Sequence, residues 1–444
     1  MFNFVTNVAA VIVVLGVMVV VHEFGHFAAA KLFKVRVEQF AIGFGKRLFG
    51  IRRGETDYRV NLLPFGGYVK MAGENPMDAH TGDPGEFASH PRWQRLIIAF
   101  AGPFMNLVLA VALLTGVYMV RYERPLWLNR PAVVGWVKAG SPADKAGVQP
   151  GDRITRIDGI QNPTWEDVLP KVALSPGQRV SLSVQRGEQS LEKTLVPAAV
   201  GPDEMGSSGW DPEEQVVVSE LEPGMPAAQV GIRKGDVVAA INGQPLRSMF
   251  ALIDVLQDNK DKPITVGIRR GSEELSFALT PKRMTDLQGQ PQYRIGVRSQ
   301  SQVVSTQLPF TQALSKSVED NRKNCFLILE LVQKLIARKV SMRQMEGPIG
   351  IAQASGEAAR EPGWTPLLQL MALISLQLGM LNLFPFPILD GGVILLLMIE
   401  GIRRRDISLP IKEKIYQLAF VLLVLFFAAV IYNDVAKTLP GLTH

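Results

Sequence analysis

The sequence predicts a polytopic α-helical membrane protein with four spanning helices, a membrane-associated β-hairpin and two small α+β domains in tandem. Three observations carry this prediction. Apolar runs long enough to cross a bilayer begin near residues 4, 96, 366 and 415. A stretch starting at Ser141 repeats itself from Met225. Ionisable side chains stand inside the first and third apolar runs, where they are costly and functional by default.

The 444 residues are enough for several domains. A hydrophobic content of 47% and a mean hydropathy of +0.14 suit membrane segments alternating with soluble ones. Basic loops account for the net charge of +6. No dense Lys/Arg block with interleaved aromatics marks a nucleic-acid partner, so the lipid bilayer is the expected environment and nucleic acid is not. The single cysteine, Cys325, excludes an intrachain disulfide and a cysteine zinc site.

Residues 1–33 read as the first span. From Phe2 to Phe33 there is no Asp or Arg, no Glu except Glu23, and no Lys before Lys31. The run is long for a signal peptide and lacks a basic n-region. It carries His22-Glu23-Phe24-Gly25-His26. Two histidines four apart share one helix face and can share one metal ion. Glu23 sits where a general base for hydrolysis belongs.

Residues 34–95 are rich in Lys and Arg, which makes this loop cytoplasmic and the N-terminus external. Within it, Tyr58–Leu62 alternates like a strand and 65–70 supplies a turn and a returning strand. Such a hairpin is either ordinary or a sheet edge able to pair with an extended substrate. His80 and His90 read as surface loop residues. Residues 96–120 form the second span, with Gly102, Pro103 and Asn106 near its start. These are a packing notch, or Asn106 places an amide beside the metal site.

Residues 121–365 are soluble in character. Ser141–Gly159 aligns without gaps to Met225–Gly243, sharing Pro142/Pro226, Ala143/Ala227, Gly147/Gly231, Gly151/Gly235, Asp152/Asp236, Ile157/Ile241 and Gly159/Gly243. A short helix, a Gly-Asp turn, a buried strand and an Asp-Gly or Asn-Gly turn produce this pattern. It resembles the PDZ domain, with copies expected at 121–208 and 209–300 and a linker over Gly201–Asp211. Residues 301–365 read as a helical region. In it Leu314, Val318, Cys325, Leu329, Val332 and Ile336 form an apolar stripe expected to pack on the membrane face or on the repeat pair. Gly347–Gly350 reads as the turn that ends this region.

Residues 366–399 are the third apolar run, broken by Asn382-Leu383-Phe384-Pro385-Phe386-Pro387-Ile388-Leu389-Asp390-Gly391-Gly392. Irregular backbone at membrane depth survives only where it is buried or lines a watery cavity. Residues 400–414 are a charged cytoplasmic loop, 415–436 the fourth span and 437–444 a tail containing His444. His22 lies about 30 Å along its helix from the outer end, and Asp390 a similar distance from Leu367. At matched depth, His22, His26 and Asp390 make a site for one Zn2+ with water as fourth ligand. Glu23 is then the proton shuttle. Either Asn382 or Asn106 is placed to hold substrate backbone or a developing oxyanion. A membrane helix hides its carbonyls, so it must unwind to be cut. Residues 58–70 and 382–390 would bind it extended, with Gly67, Tyr68, Pro385 and Pro387 as substrate contacts.

These motifs together resemble the site-2 protease family of intramembrane zinc metalloproteases, in its Gram-negative form with tandem PDZ domains. The resemblance covers essentially the whole chain. It runs through H-E-F-G-H at 22–26, G-F-G at 43–45, L-P-F-G-G-Y-V-K at 63–70, A-G-P-x-x-N at 101–106, G-P-I-G-I-A at 347–352 and N-L-F-P-F-P-I-L-D-G-G at 382–392. It implies His22, His26 and Asp390 as zinc ligands, Glu23 as acid/base, Asn382 as a substrate-backbone contact and the 58–70 segment as a strand offered to substrate. It also implies four spans in the bacterial inner membrane, with both termini and the PDZ domains periplasmic. The implied substrate is a single-span membrane protein: an anti-sigma factor after a first cut, or a signal-peptide remnant. A PDZ-bearing membrane scaffold with a structural metal site is the reading from another class; scaffolding gives Glu23 nothing to do.

Overall fold

The structure is a computed structural model describing residues 2–74, 82–285 and 291–438. His80 and His444 lie outside the described residues. The chain divides into two compact units: Met1–Tyr122 with Gln307–Gln333 and Met345–His444, and Glu123–Thr306 with Lys334–Gln344.

The first unit begins with α1 (Phe2–Leu32), apolar enough to cross a membrane over Thr6–Leu32. Lys34, at φ 64, turns the chain out of the helix. Two long strands follow, β1 (Val37–Arg53) and β2 (Thr56–Met71), joined at Gly54. This corrects the hairpin expected within 58–70: both of its halves lie on β2, and their partner is β1. The strands bend back on themselves, so Phe40 is partnered by Val69 on one side and by Tyr58 on the other. Gly43, Gly45 and Gly66, all at positive φ, allow those bends. Leu48, Phe49, Ile51, Leu62 and Leu63 are each more than half exposed on this sheet. Next, α2 (Arg92–Val120) crosses α1 where Gly25 lies against the Ala101 carbonyl, too close for any Cβ.

The second unit is built from the repeat. Its helices are α3 (Pro142–Lys145), α4 (Trp165–Ala173), α5 (Pro226–Gln229) and α6 (Met249–Asn259). Proline opens α3 and α5, where its missing N–H costs nothing. Arg153–Ile157 pairs with the hairpin Val180–Arg186/Gln189–Leu195, and Val237–Ile241 with Ile264–Arg270/Glu273–Leu279. The two copies have separate cores, one around Trp165, Ile154 and Leu182, the other around Leu252, Val266 and Ile268.

The repeated Gly-Asp has an atomic explanation. Asp152 is fully buried and takes two bonds from Arg186, at 2.7 and 2.8 Å, while Arg186 also donates to the Gly147 carbonyl. Asp236 does the same with Arg270 at 2.8 Å twice, and Arg270 donates to Gly231. The linker expected over Gly201–Asp211 is overturned. Met205–Ser207 pairs with Ala198–Val200, Trp210–Pro212 pairs with Val134–Val137, and the Trp210 ring meets Trp165 edge-on. The first copy therefore runs through Pro212, past the 208/209 boundary. Its closing strand matches Val297–Ser299 on Val216–Leu221 in the second copy.

The first unit resumes with α7 (Phe310–Ile336). Its expected apolar stripe is not its packed face: Leu314, Val318 and Leu329 are exposed, while Ala313, Ser317, Asp320 and Asn321 are buried. Ser317 donates to the Val111 carbonyl at 2.8 Å and Tyr118 to Asp320 at 2.7 Å, so polar pairing with α2 decides the orientation. Gly347–Gly350 is not a terminal turn. It starts α8 (Pro348–Arg360), whose first amides are capped by Asp434 at 2.9 Å. Then α9 (Thr365–Asn382) and α10 (Asp390–Arg403) flank the break, and α11 (Leu409–Thr438) closes the chain. Among the described residues four helices are long and apolar enough to cross a membrane: α1, α2, α9 and α11.

Candidate metal centre

His22 and His26 come from one turn of α1, Asp390 from the first residue of α10. Nε2 of His22 lies 3.1 Å from one Asp390 oxygen, Nε2 of His26 lies 3.4 Å from the other, and the two Nε2 atoms are 3.2 Å apart. One ligand atom from each falls within 4.8 Å of the other two, the only such group of three among the described residues. Asp390 stands at a helix N-terminus, where the unpaired amides favour a negative charge. It gets there because Leu383–Leu389 folds into consecutive turns against the start of α10. A Cβ at Gly391 or Gly392 would collide with the carbonyls of Leu383, Phe384 or Phe386.

The donor set fits a zinc ion. Two imidazoles and one carboxylate are its ordinary ligands, and each ring has a polar group waiting at its other nitrogen. His26 Nδ1 lies 2.8 Å from the Ile98 carbonyl, which fixes the tautomer that exposes Nε2. His22 Nδ1 lies 3.2 Å from the amide of Asn106, whose Oδ1 is buried without a hydrogen-bond partner. Half a turn of that amide puts Oδ1 on Nδ1–H, the arrangement that leaves Nε2 of His22 free for metal. Both groups belong to α2. Gly102, also on α2, faces the His26 ring so closely that a Cβ would overlap it.

A cavity of about 330 Å³ opens on the cluster, lined by His22, Glu23, His26, Tyr68, Glu74 and Asp390 among others. Glu23 accepts a hydrogen bond from the Val69 amide at 2.9 Å. Tyr68 reaches the cavity, its hydroxyl 3.1 Å from Gln39 Oε1. Gly67 lies beside Glu23, where an added Cβ would sit 3.7 Å from its Cγ.

Other expected contacts fall elsewhere. Asn106 has no exposed surface and lies against His22, on the side away from the cavity-lining residues. Asn382, Pro385 and Pro387 are not among the residues lining this cavity. His90 lies away from the cluster, 2.8 Å from Gln94. The sequence motifs assign no role to Ile98, Val69 or Glu74. Ile98 and Val69 act through backbone and leave no signal. Gly102 was singled out only as a packing notch. Glu74, beside Gly73 at the end of a strand, was the findable one.

An α-helical membrane scaffold carrying two histidines, a carboxylate and an adjacent glutamate at one cavity defines a metallopeptidase site. A model of peptidase family M50 matches residues 10–426. The chain belongs to that family, the site-2 proteases, and is a zinc metalloprotease. It is 32% identical over 464 residues to the regulator of sigma-E protease RseP of Salmonella typhimurium, covering 98% of this chain and 100% of the relative. The RseP protein of Escherichia coli K12 is 32% identical over 472 residues, with coverage of 98% and 100%. A Vibrio cholerae protein named as a candidate zinc metalloprotease is 30% identical over 469 residues, with coverage of 97% and 98%. Among solved structures, the PDZ domain of an SdrC-like protein from Listeria innocua matches 20% of this chain and 97% of its own, with 24% identity and a TM-score of 0.18.

Proposed function

We propose that this protein cleaves single-span membrane proteins within or beside the bilayer of a bacterial inner membrane. The observation that carries the proposal is the convergence of His22, His26 and Asp390 at one cavity with Glu23. His22, His26 and Asp390 would hold one zinc ion, with Ile98 and Asn106 orienting the rings. When bound, zinc supplies Lewis-acid polarisation of the scissile carbonyl and activation of water. Glu23 takes a proton from the attacking water and delivers it to the leaving amine nitrogen. The outer edge of β2 at Gly67–Met71 pairs with the unwound substrate, Tyr68 forming part of the wall. Asn382, Pro385 and Pro387 meet the substrate farther along its path.

The exposed apolar side chains of Leu48, Phe49, Ile51, Leu62 and Leu63 support a sheet that sits in the membrane. The basic residues of 31–95 and 400–414 support a cytoplasmic position for those segments, with both termini and the repeats periplasmic. The duplicated Asp-Arg latch supports two PDZ domains of one design. The relatives' names point to regulation of sigma-E, and an anti-sigma factor trimmed by a first protease is the substrate we assign. Purified enzyme with Glu23→Gln should retain zinc and lose cleavage of such a substrate in proteoliposomes. Retained cleavage would remove Glu23 from its role.

A further inference from the structure

We propose that the substrate-pairing edge of β2 is held shut by two carboxylates of the enzyme itself, Glu23 on Val69 and Glu74 on Met71, and that Glu74 sets how readily an extended substrate enters. The proposal rests on the strand-pairing reading given above. In a strand, the amides of residues two apart point to the same side. The amides of Val69 and Met71 both point away from β1: one donates to Glu23 at 2.9 Å, the other to Glu74 at 3.1 Å. Glu23 and Glu74 line the same cavity as His22, His26 and Asp390.

An open edge offers its free amides to any backbone that can reach them. Here two of those donors are taken, by carboxyl oxygens of the enzyme itself. A substrate strand must therefore evict both. At Val69 the eviction has a chemical consequence: it frees the Glu23 oxygen, so the base becomes available as substrate seats. At Met71 the eviction is a pure entry barrier. Glu74 returns to its own strand because Gly73, at φ +63, turns the chain back. A Cβ at Gly73 would press on Glu86 at 2.9 Å, so the turn has little freedom to move the carboxylate elsewhere.

The test uses full-length zinc-loaded enzyme in proteoliposomes with a single-span substrate. Glu74→Ala empties the Met71 amide, and KM should fall by about threefold to tenfold with kcat and zinc content unchanged. Glu74→Gln keeps a carbonyl acceptor at that place and should hold KM within about twofold of wild type. An unchanged KM in Glu74→Ala, a fall in kcat or zinc, or a Glu74→Gln variant matching Glu74→Ala overturns the proposal. In the last case charge, not occupancy of the amide, would be the cause. A second arm competes an extended peptide against its copy N-methylated at alternate amides, on wild-type enzyme. Discrimination between them with no KM effect in Glu74→Ala defeats only the role of Glu74. Equal competition defeats strand pairing, and this proposal with it.

Discussion

Gly102 lies flat against the His26 imidazole, and no other residue fits between α2 and that ring. A Cβ there would overlap Nε2, the atom aimed at Asp390, and would also meet Cε1 and Cδ2 at 2.6 and 2.8 Å. The glycine is neither a hinge nor a turn. It is the space that lets the second helix support the first one's ligand. Gly102→Ala should leave the protein folded in the membrane and lower zinc affinity by about 10-fold to 100-fold, because the ring must rotate away. Zinc competition with a chromophoric chelator on purified protein reads this directly. Wild-type affinity in the variant would show that the ring has room the geometry denies it.

Asn106 gives a prediction of a different kind. Its amide holds His22 from behind, and the required acceptor is Oδ1. Asn106→Asp supplies an acceptor of the same shape and should keep the metal. Asn106→Leu supplies none and should weaken zinc binding by about 10-fold to 100-fold. If substrate contact were the residue's role, both variants would instead raise KM at full zinc content. The ratio of metal affinity to KM across the two variants separates these roles.

Parts of this architecture were legible in the sequence because they depend on short-range pattern. Apolar runs marked the four helices long enough to span. The i, i+4 spacing put His22 and His26 on one face, and the Pro/Gly break beside Asp390 marked a carboxylate with no packing reason to be there. What escaped depends on pairing between distant segments. Phe40 pairs with both Val69 and Tyr58, and basic residues made β1 look like loop. Trp210–Pro212 looked like linker because Gly, Ser and acids surround it, yet its partner is Val134–Val137. The apolar stripe of α7 misled for a physical reason. Ser317 and Asp320, bonded to Val111 and Tyr118, turn that face of α7 to α2 and leave the stripe exposed.

The duplicated latch of the soluble repeats should be locally essential. Asp236 is buried, and the Arg270 guanidinium that bonds it holds its carboxyl below the usual carboxylate range. Arg270 is part-exposed while Asp236 is buried, so removing the guanidinium leaves a buried carboxylate without its cation. Arg270→Met should therefore raise hydrogen exchange across Val237–Ile241 and Ile264–Arg270, while the first copy stays protected by its own core. Arg186→Met should do the converse. Adding Asp236→Leu to Arg270→Met should restore only part of the loss: no charge is then left unpaired, but the Arg233 amide that Asp236 accepts at 2.7 Å loses its acceptor. Equal loosening of both copies by either single variant would show one cooperative body in place of two.

Asp211 makes the stability of the first repeat depend on pH, in the direction opposite to the latch. It sits on the strand that closes that copy, paired with Trp136. Partial burial, with Glu214 adding to it, raises its carboxyl to about 6 from 3.8. The folded state therefore holds the proton more tightly than the unfolded chain. That contribution is complete below pH 3.8, and it is lost as pH rises through about 6. At pH 8 the strand carries a charge in a place that resists it, at a cost of about 1 kcal/mol once solvent screening at a half-buried site is allowed for. Asp211→Asn removes the titration. Hydrogen exchange of Trp210, Asp211 and Val134–Val137, corrected for intrinsic rates, should show the variant more protected than wild type at pH 8, the gap narrowing at pH 5 and closing below about pH 4. A wild-type strand that opens more readily at pH 5 than at pH 8, relative to the variant, would reverse the sign and place the Asp211 carboxylate in a stabilising contact.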